Sequence, residues 1–221
     1  MRHNRATMYD AIYKLAVEFQ ENLKEYLSQN PEQYQTMEQI EGESYEKYRD
    51  IYDFDQDAED IEDDFDQPGA MGVGVTDSNG VMAGYVYGYN MTTDEMPEID
   101  LNMSNQMLAE QYGVKFYSQV PEGFARQIYQ LMSQGKIFYV ANLALPQYKI
   151  KLARMLKDLL TKLRQAGYQY ITFDALSDTM NLFLSEGRIP KAARMAMFGV
   201  ELVAMIPDED GWEHAQAIVK I

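Results

Sequence analysis

Six basic side chains fall between residues 149 and 164: Lys149, Lys151, Arg154, Lys157, Lys162 and Arg164, against one acid, Asp158. At a helix start, the first three could draw in a phosphate, because the helix dipole already favours an anion there. The competing use of such charge is a solvated face that balances an acidic region, by docking against it. That acidic region exists. Residues 53 to 66 read DFDQDAEDIEDDFD, nine carboxylates and no base. Alternating carboxylates suit a hard cation such as calcium. The calcium-loop pattern needs glycine sixth and glutamate twelfth, however, and counting from Asp53 these places hold Ala58 and Asp64. The stretch is therefore expected to be a solvated, partly disordered linker, and no metal is expected. Cysteine is absent, which removes thiolate chemistry and disulfides together. The only histidines, His3 and His214, have no further ligands nearby in sequence for a zinc site.

These residues need elements to hold them. The best determined are in residues 136 to 175. Ile137 to Leu145 is an apolar run with strand character. Leu152, Met155, Leu156, Leu159, Leu160 and Leu163 then repeat at helical spacing, and Gly167 stops the helix. Tyr168 to Phe173 is a second strand. Strand, helix, strand makes a right-handed crossover with the two strands parallel. Ligands bind at the C-terminal ends of such strands, so Asn142 and Asp174 could face a cleft there, although a buried structural role is the commoner one.

Around this unit the chain divides at about residue 67. Residues 1–67 are expected to be a helical acidic region that packs on or extends the core. Its helices are expected over 6–28 and about 44–52. Residues 68–221 are expected to form the core. Met71 to Val75 and Val81 to Tyr89 read as a hairpin closed by Asp77-Ser78-Asn79-Gly80, since Asn-Gly supplies the positive angles of a tight turn. Tyr85, Tyr87 and Tyr89 share one face of its second strand, a stripe expected to be packing surface. Residues 91–135 read as a mostly helical insertion, with helices at Leu101 to Tyr112 and Pro121 to Ser133. A short helix from Asp178 to Glu186, strands within Ala192 to Ile206, and a closing strand over Trp212 to Ile221 complete the chain.

This order of elements resembles the GNAT family of N-acyltransferases over roughly residues 70 to 206. The stretch LALPQYKIKLARMLKDLL is similar to the family's passage from its fourth strand into a long helix, through Pro146, Tyr148, Lys149 and Leu156. NLFLSEG, Asn181 to Gly187, is similar to its short helix before the sixth strand. The resemblance implies an α+β fold, a mixed central sheet flanked by helices, here with an acidic helical N-terminal extension. It also implies acetyl-CoA as the donor. Leu143 and Leu145 would polarise its thioester through their amides, and Lys149, Lys151, Leu152, Ala153 and Arg154 would hold its pyrophosphate, with Asn181 beyond. The two glycine places of the family's phosphate turn carry Leu152 and Arg154, and Phe183 stands near its tyrosine acid. No catalytic base stands out.

The net charge of −16 is uneven: residues 1–70 hold 19 acids and 6 bases. Direct nucleic-acid binding is not expected of such a surface. A protein partner for the acidic region is. Three functions follow: an N-acyltransferase, an inactive GNAT-fold structural or assembly protein, and an acidic DNA mimic that occupies a basic enzyme. The composition has the manner of a bacteriophage protein. No stretch is long and apolar enough to span a membrane and no signal peptide is read, so a cytoplasmic or virion location is expected.

Overall fold

The computed structural model describes residues 16–20, 22–47, 56–96, 99–144, 149–175, 198–208 and 211–221. Eight strands form one mixed sheet: β1 (Ala16–Gln20), β2 (Met71–Asp77), β3 (Met82–Asn90), β4 (Lys115–Phe116), β5 (Ile137–Ala144), β6 (Tyr170–Ala175), β7 (Glu201–Asp208) and β8 (Gly211–Lys220), in the order β1-β2-β3-β5-β6-β8-β7-β4. Only β5 and β6 are parallel; every other pair is antiparallel. The hairpin β2–β3 closes as its turn residues require: Gly80 takes a positive φ of 77°, and the Asp77 carboxylate accepts the amides of Asn79 and Val81.

Helices cover both faces. On one face lie α1 (Leu23–Gln29), α2 (Gln33–Lys47) and α3 (Ala58–Asp66), with Leu23, Leu27, Met37, Ile61 and Phe65 buried against Tyr85, Tyr87 and Ala144 of the sheet. Further along that face, α4 (Asn105–Gln111) and α5 (Phe124–Ser133) pack on β6, β7 and β8. The opposite face carries α6 (Lys149–Gln165), whose Met155, Leu159 and Leu163 meet Val73, Val75, Val86 and Phe138. Its last turn is fastened by Arg164, which donates to the carbonyls of Phe198 and Gly199.

Three expectations need correction. The helix foreseen over 6–28 is broken: Ala16–Gln20 is a strand paired with β2, and helix begins only at Leu23. The edge of β2 from Gly74 to Asp77 offers backbone hydrogen bonds to this segment, and tertiary pairing of this kind overrides helical periodicity. The helix foreseen at 44–52 starts earlier, at Gln33, and is described as far as Lys47, since residues 48–52 lie outside the described residues. The acidic stretch is not a linker. Asp57 caps α3 in a reciprocal capping box with Asp60, and Ile61 and Phe65 are buried at i and i+4 while Glu59, Asp60, Glu62, Asp63 and Asp66 stay in solvent. One narrow apolar stripe and a good cap suffice to fold a helix whose outer face is almost all carboxylate. The insertion holds both expected helices and also β4, which joins the far edge of the sheet through β7. The helix foreseen at 178–186 and the first strand of the 192–206 stretch lie outside the described residues.

Candidate functional site

The site begins where β5 and β6 part. Their parallel ladder joins Ile137, Phe138 and Tyr139 to Tyr170, Ile171 and Thr172. Beyond it β5 continues to Ala144 and β6 to Ala175. Each arm is held by its outer neighbour. β6 is in register with β8 from Tyr170 to Ala175. β5 follows β3, but with a break: Tyr87 faces Asn142 and Gly88 faces Val140, so Ala141 is an extra residue. Such a bulge bends its strand and sharpens the twist, which accounts for β5 leaving β6. Gly88 makes the bulge feasible, since a Cβ there would lie 1.9 Å from the Tyr139 carbonyl oxygen. Beyond Tyr139 and Thr172 the two strand ends form a wedge with no ladder between them among the described residues, and α6 starts past the β5 arm, at Lys149.

The wall of the wedge on the α2–α3 face is polar and connected. Asn142 Nδ2 donates to Glu41 Oε1 at 2.8 Å and to Gln56 Oε1 at 3.0 Å. Gln56 Nε2 donates to Asp64 Oδ2 at 2.8 Å, and the Tyr87 hydroxyl donates to that same oxygen at 3.0 Å. On the other arm, the Tyr139 hydroxyl donates to Asp174 Oδ2 at 2.7 Å. Tyr89 stacks beside Tyr139, ring centroids 5.6 Å apart. Burial raises the Asp64 carboxyl above the usual carboxylate range, against the lowering pull of its Gln56 and Tyr87 hydrogen bonds; Asp60 and Glu95 push it further up. Tyr87, Tyr89 and Tyr139 are all raised, first by burial and then by carboxylates: Asp64 and Glu41 on Tyr87; Asp64, Glu95 and Asp174 on Tyr89; Asp174 and Glu95 on Tyr139. These tyrosines stay protonated and act as donors. Among the described residues no cluster suited to a metal ion occurs.

Of the residues foreseen for the donor, Leu143 lies half-buried on the open β5 arm, against the α6 side of the sheet. Lys149, Lys151, Leu152, Ala153 and Arg154 form the first turns of α6. Leu152 and Arg154 therefore sit in helix, where a Cβ is ordinary, and no residue but glycine has a positive φ among the described residues. Arg154 is exposed, with Nε 3.7 Å from Asp158. Leu145 and Asn181 lie outside the described residues. Among the described residues α6 and α3 lie on opposite faces of the sheet, so these two helices do not meet. Asn142 and Asp174 do flank the opening. Glu41, Gln56, Asp64 and Glu95, and the donor role of Tyr87 and Tyr139, join the site only in the folded structure. The tyrosine alternation on β3 was the available signal, and Tyr85 and Tyr87 are indeed fully buried, yet Tyr87 also presents its hydroxyl to the network.

No protein-family model matches the chain, and no curated protein matches its sequence. Among solved structures it is similar to an aminoglycoside 6'-N-acetyltransferase complexed with coenzyme A, at 13% identity and TM-score 0.44 over 83% of this chain and 88% of that one. It is similar to the aminoglycoside 6'-N-acetyltransferase from Enterococcus faecium, at 13% and 0.43 over 83% and 88%. It is also similar to an N-acyl amino acid synthase from uncultured soil microbes, at 15% and 0.44 over 82% and 80%. The order of elements is the one that the resemblance to the GNAT family implies: a hairpin, a strand, a crossover helix, a strand parallel to the first, and two closing strands, on one mixed sheet. Its functional reading rests on this chain's own strands and side chains, since likeness at this level carries none.

Proposed function

We propose that the chain is an acyl-coenzyme A-dependent N-acyltransferase. The observation that carries this is the parted parallel pair, with a helix start beyond its open end. A strand arm released from its neighbour presents backbone groups to an extended, amide-bearing ligand, as an added strand would. The pantetheine chain of coenzyme A is such a ligand. Its pyrophosphate would meet the first amides of α6, which have no partners within the helix, together with Lys149, Lys151 and Arg154. Bound there, acyl-coenzyme A would supply a thioester carbonyl beside Leu143. An amine entering from the α2–α3 face attacks that carbon, and the new C–N bond forms as the C–S bond breaks. The amine's surplus proton passes through water to a carboxylate of the wall, and the coenzyme leaves as its thiol after taking a proton from solvent. Tyr139 and Asn142 keep the wall in place through their bonds to Asp174 and Glu41.

Calorimetric titration with acetyl-coenzyme A tests this. Micromolar binding is expected, weakened roughly fivefold by Arg154→Glu, as suits the loss of about 1 kcal/mol at an exposed ionic contact. Absence of binding at millimolar ligand overturns the reading and leaves a GNAT-fold structural protein.

A further inference from the structure

Away from the wedge, at the far end of α6, the sheet has an uncovered edge. β1 pairs with β2 only from Gly74 to Asp77, so Met71, Gly72 and Val73 have no strand on that side among the described residues. Residues of an antiparallel strand turn their N–H and C=O groups alternately to its two sides. At least one of these three therefore turns its pair outward. A groove of about 760 Å³, in the size range of ligand sites, adjoins the start of this edge at Ala70 and Met71. It is walled from both faces of the sheet, by Lys24 of α1 on one and by Lys162 of α6 on the other. Among the described residues neither lysine has a hydrogen bond or an ion pair, although the chain holds 35 acids against 19 bases. Glu25 also lines the groove, and its carboxylate is engaged by Asn22 Nδ2 at 2.6 Å. Lys162 stands roughly 20 Å along α6 from Lys149 at helical rise, so this groove is separate from the acyl-transfer opening.

We propose that this groove binds an extended acidic segment of another protein, added to the sheet as a short strand beside Met71–Val73 and carrying two consecutive carboxylates. Side chains of a strand point alternately to the two faces of its sheet. A segment laid along this edge therefore sends one carboxylate to Lys24 and the next to Lys162, while its backbone meets the outward groups of β2. Carboxylates one residue further apart share a face and leave one lysine unmet. A second copy of this chain is the poorer occupant. Twofold pairing of two such edges sets lysine against lysine, which is how edge lysines ordinarily prevent association. The net charge of −16 disfavours an acidic segment over most of the surface, so its recognition has to be local. The site is independent of the acyltransferase reading.

Amide NMR titration of the isotope-labelled protein tests the proposal, with the peptides acetyl-Val-Glu-Glu-Val-amide, acetyl-Glu-Val-Glu-Val-amide and acetyl-Val-Gln-Gln-Val-amide as probes. Shifts are expected at Lys24, at Ala70 to Val73 and at Lys162. The consecutive-glutamate peptide is expected to bind at least about fivefold more tightly than either of the others, the size of one exposed ionic contact. Lys24→Ala and Lys162→Ala should each weaken that peptide by about the same factor. Methylating the peptide's backbone nitrogens, which removes its N–H donors, should weaken it further than either substitution. Equal affinity for the three peptides overturns the proposal, as do shifts confined to the start of α6 and the absence of any shift at millimolar peptide. Glutarate binding as tightly as the peptide overturns it too, since the groove would then be a small-anion site with no added strand.

Discussion

The helices α3 and α6 lie on opposite faces of one sheet and are opposite in charge. Every ionisable residue of α3 is acidic, whereas α6 carries six bases and one acid. Both bury a narrow apolar stripe: Ile61 and Phe65 in α3, and Met155, Leu159, Leu160 and Leu163 in α6. Their difference lies in what the charge is for. On α6 it is ordered along the helix, with Lys149, Lys151 and Arg154 at the start and Arg164 fastening the end. On α3 most of it faces solvent, and a single carboxylate, Asp64, turns inward to the wedge. A sheet parted between these helices separates an anion-favouring side from a cation-favouring side.

The comparison breaks if α3 is not the folded helix described. Phe65 is its anchor, 1% exposed and stacked 4.8 Å from Tyr87. Phe65→Ala is expected to cost about 3–5 kcal/mol, seen as a lower denaturation midpoint. A loss within about 0.5 kcal/mol, the range of an ordinary surface change, would show that α3 does not pack. Gly88→Ala comes next. Its new Cβ would meet the backbone of β5 at the bulge, where no side chain can give way, and overpacking of this kind costs about 1–3 kcal/mol. Acetyl-coenzyme A affinity should fall along with stability, because the bulge sets the angle of the β5 arm. Stability lost with affinity intact would separate the bulge from the wedge. Smaller again is Asp57→Ala, which removes the acceptor for the amides of Glu59 and Asp60 and should cost about 1 kcal/mol. Equality with wild type in thermal unfolding would mean that α3 does not depend on its cap.

The crossover unit was legible because its signals are local and agree. An apolar run, a six-leucine-and-methionine helical stripe, a stopping Gly167 and a second run admit one arrangement. The hairpin was legible for the same reason, through Asn79-Gly80. The α3 helix was not. Its composition argues for solvent, and what decides the matter is Phe65 meeting Tyr87 and Tyr34, partners 22 and 31 residues away in sequence. Strand β1 was hidden likewise, because its only claim to be a strand is the edge of β2. In the site, Asn142 and Asp174 could be placed because each lies near the C-terminal end of a strand of the crossover. Glu41, Gln56 and Asp64 could not, since their roles come from helices laid across the sheet, and carboxylates abound in that part of the chain.

The finest test bears on Asp64 itself. Its carboxyl is raised mainly by burial, although the residue remains half-exposed. A native-state group raised above its unfolded value holds its proton while the unfolded chain loses it. The resulting stability is complete below the ordinary carboxylate range and is lost as pH rises through the raised value. Asp64→Asn removes that dependence while keeping an oxygen for the Tyr87 hydroxyl. Its melting temperature should match wild type near pH 3, below the usual aspartate value of about 3.9, and should equal or slightly exceed wild type at pH 7. Turnover of an amine acceptor should nevertheless fall, because the inward charge of α3 is gone. Stability and activity would thus move in opposite directions at one residue, as expected where a charge is kept for its use. A variant that melts well below wild type at pH 7 would show instead that the Asp64 carboxylate holds α3 to the sheet, and the contrast between the two helices would reduce to one of packing.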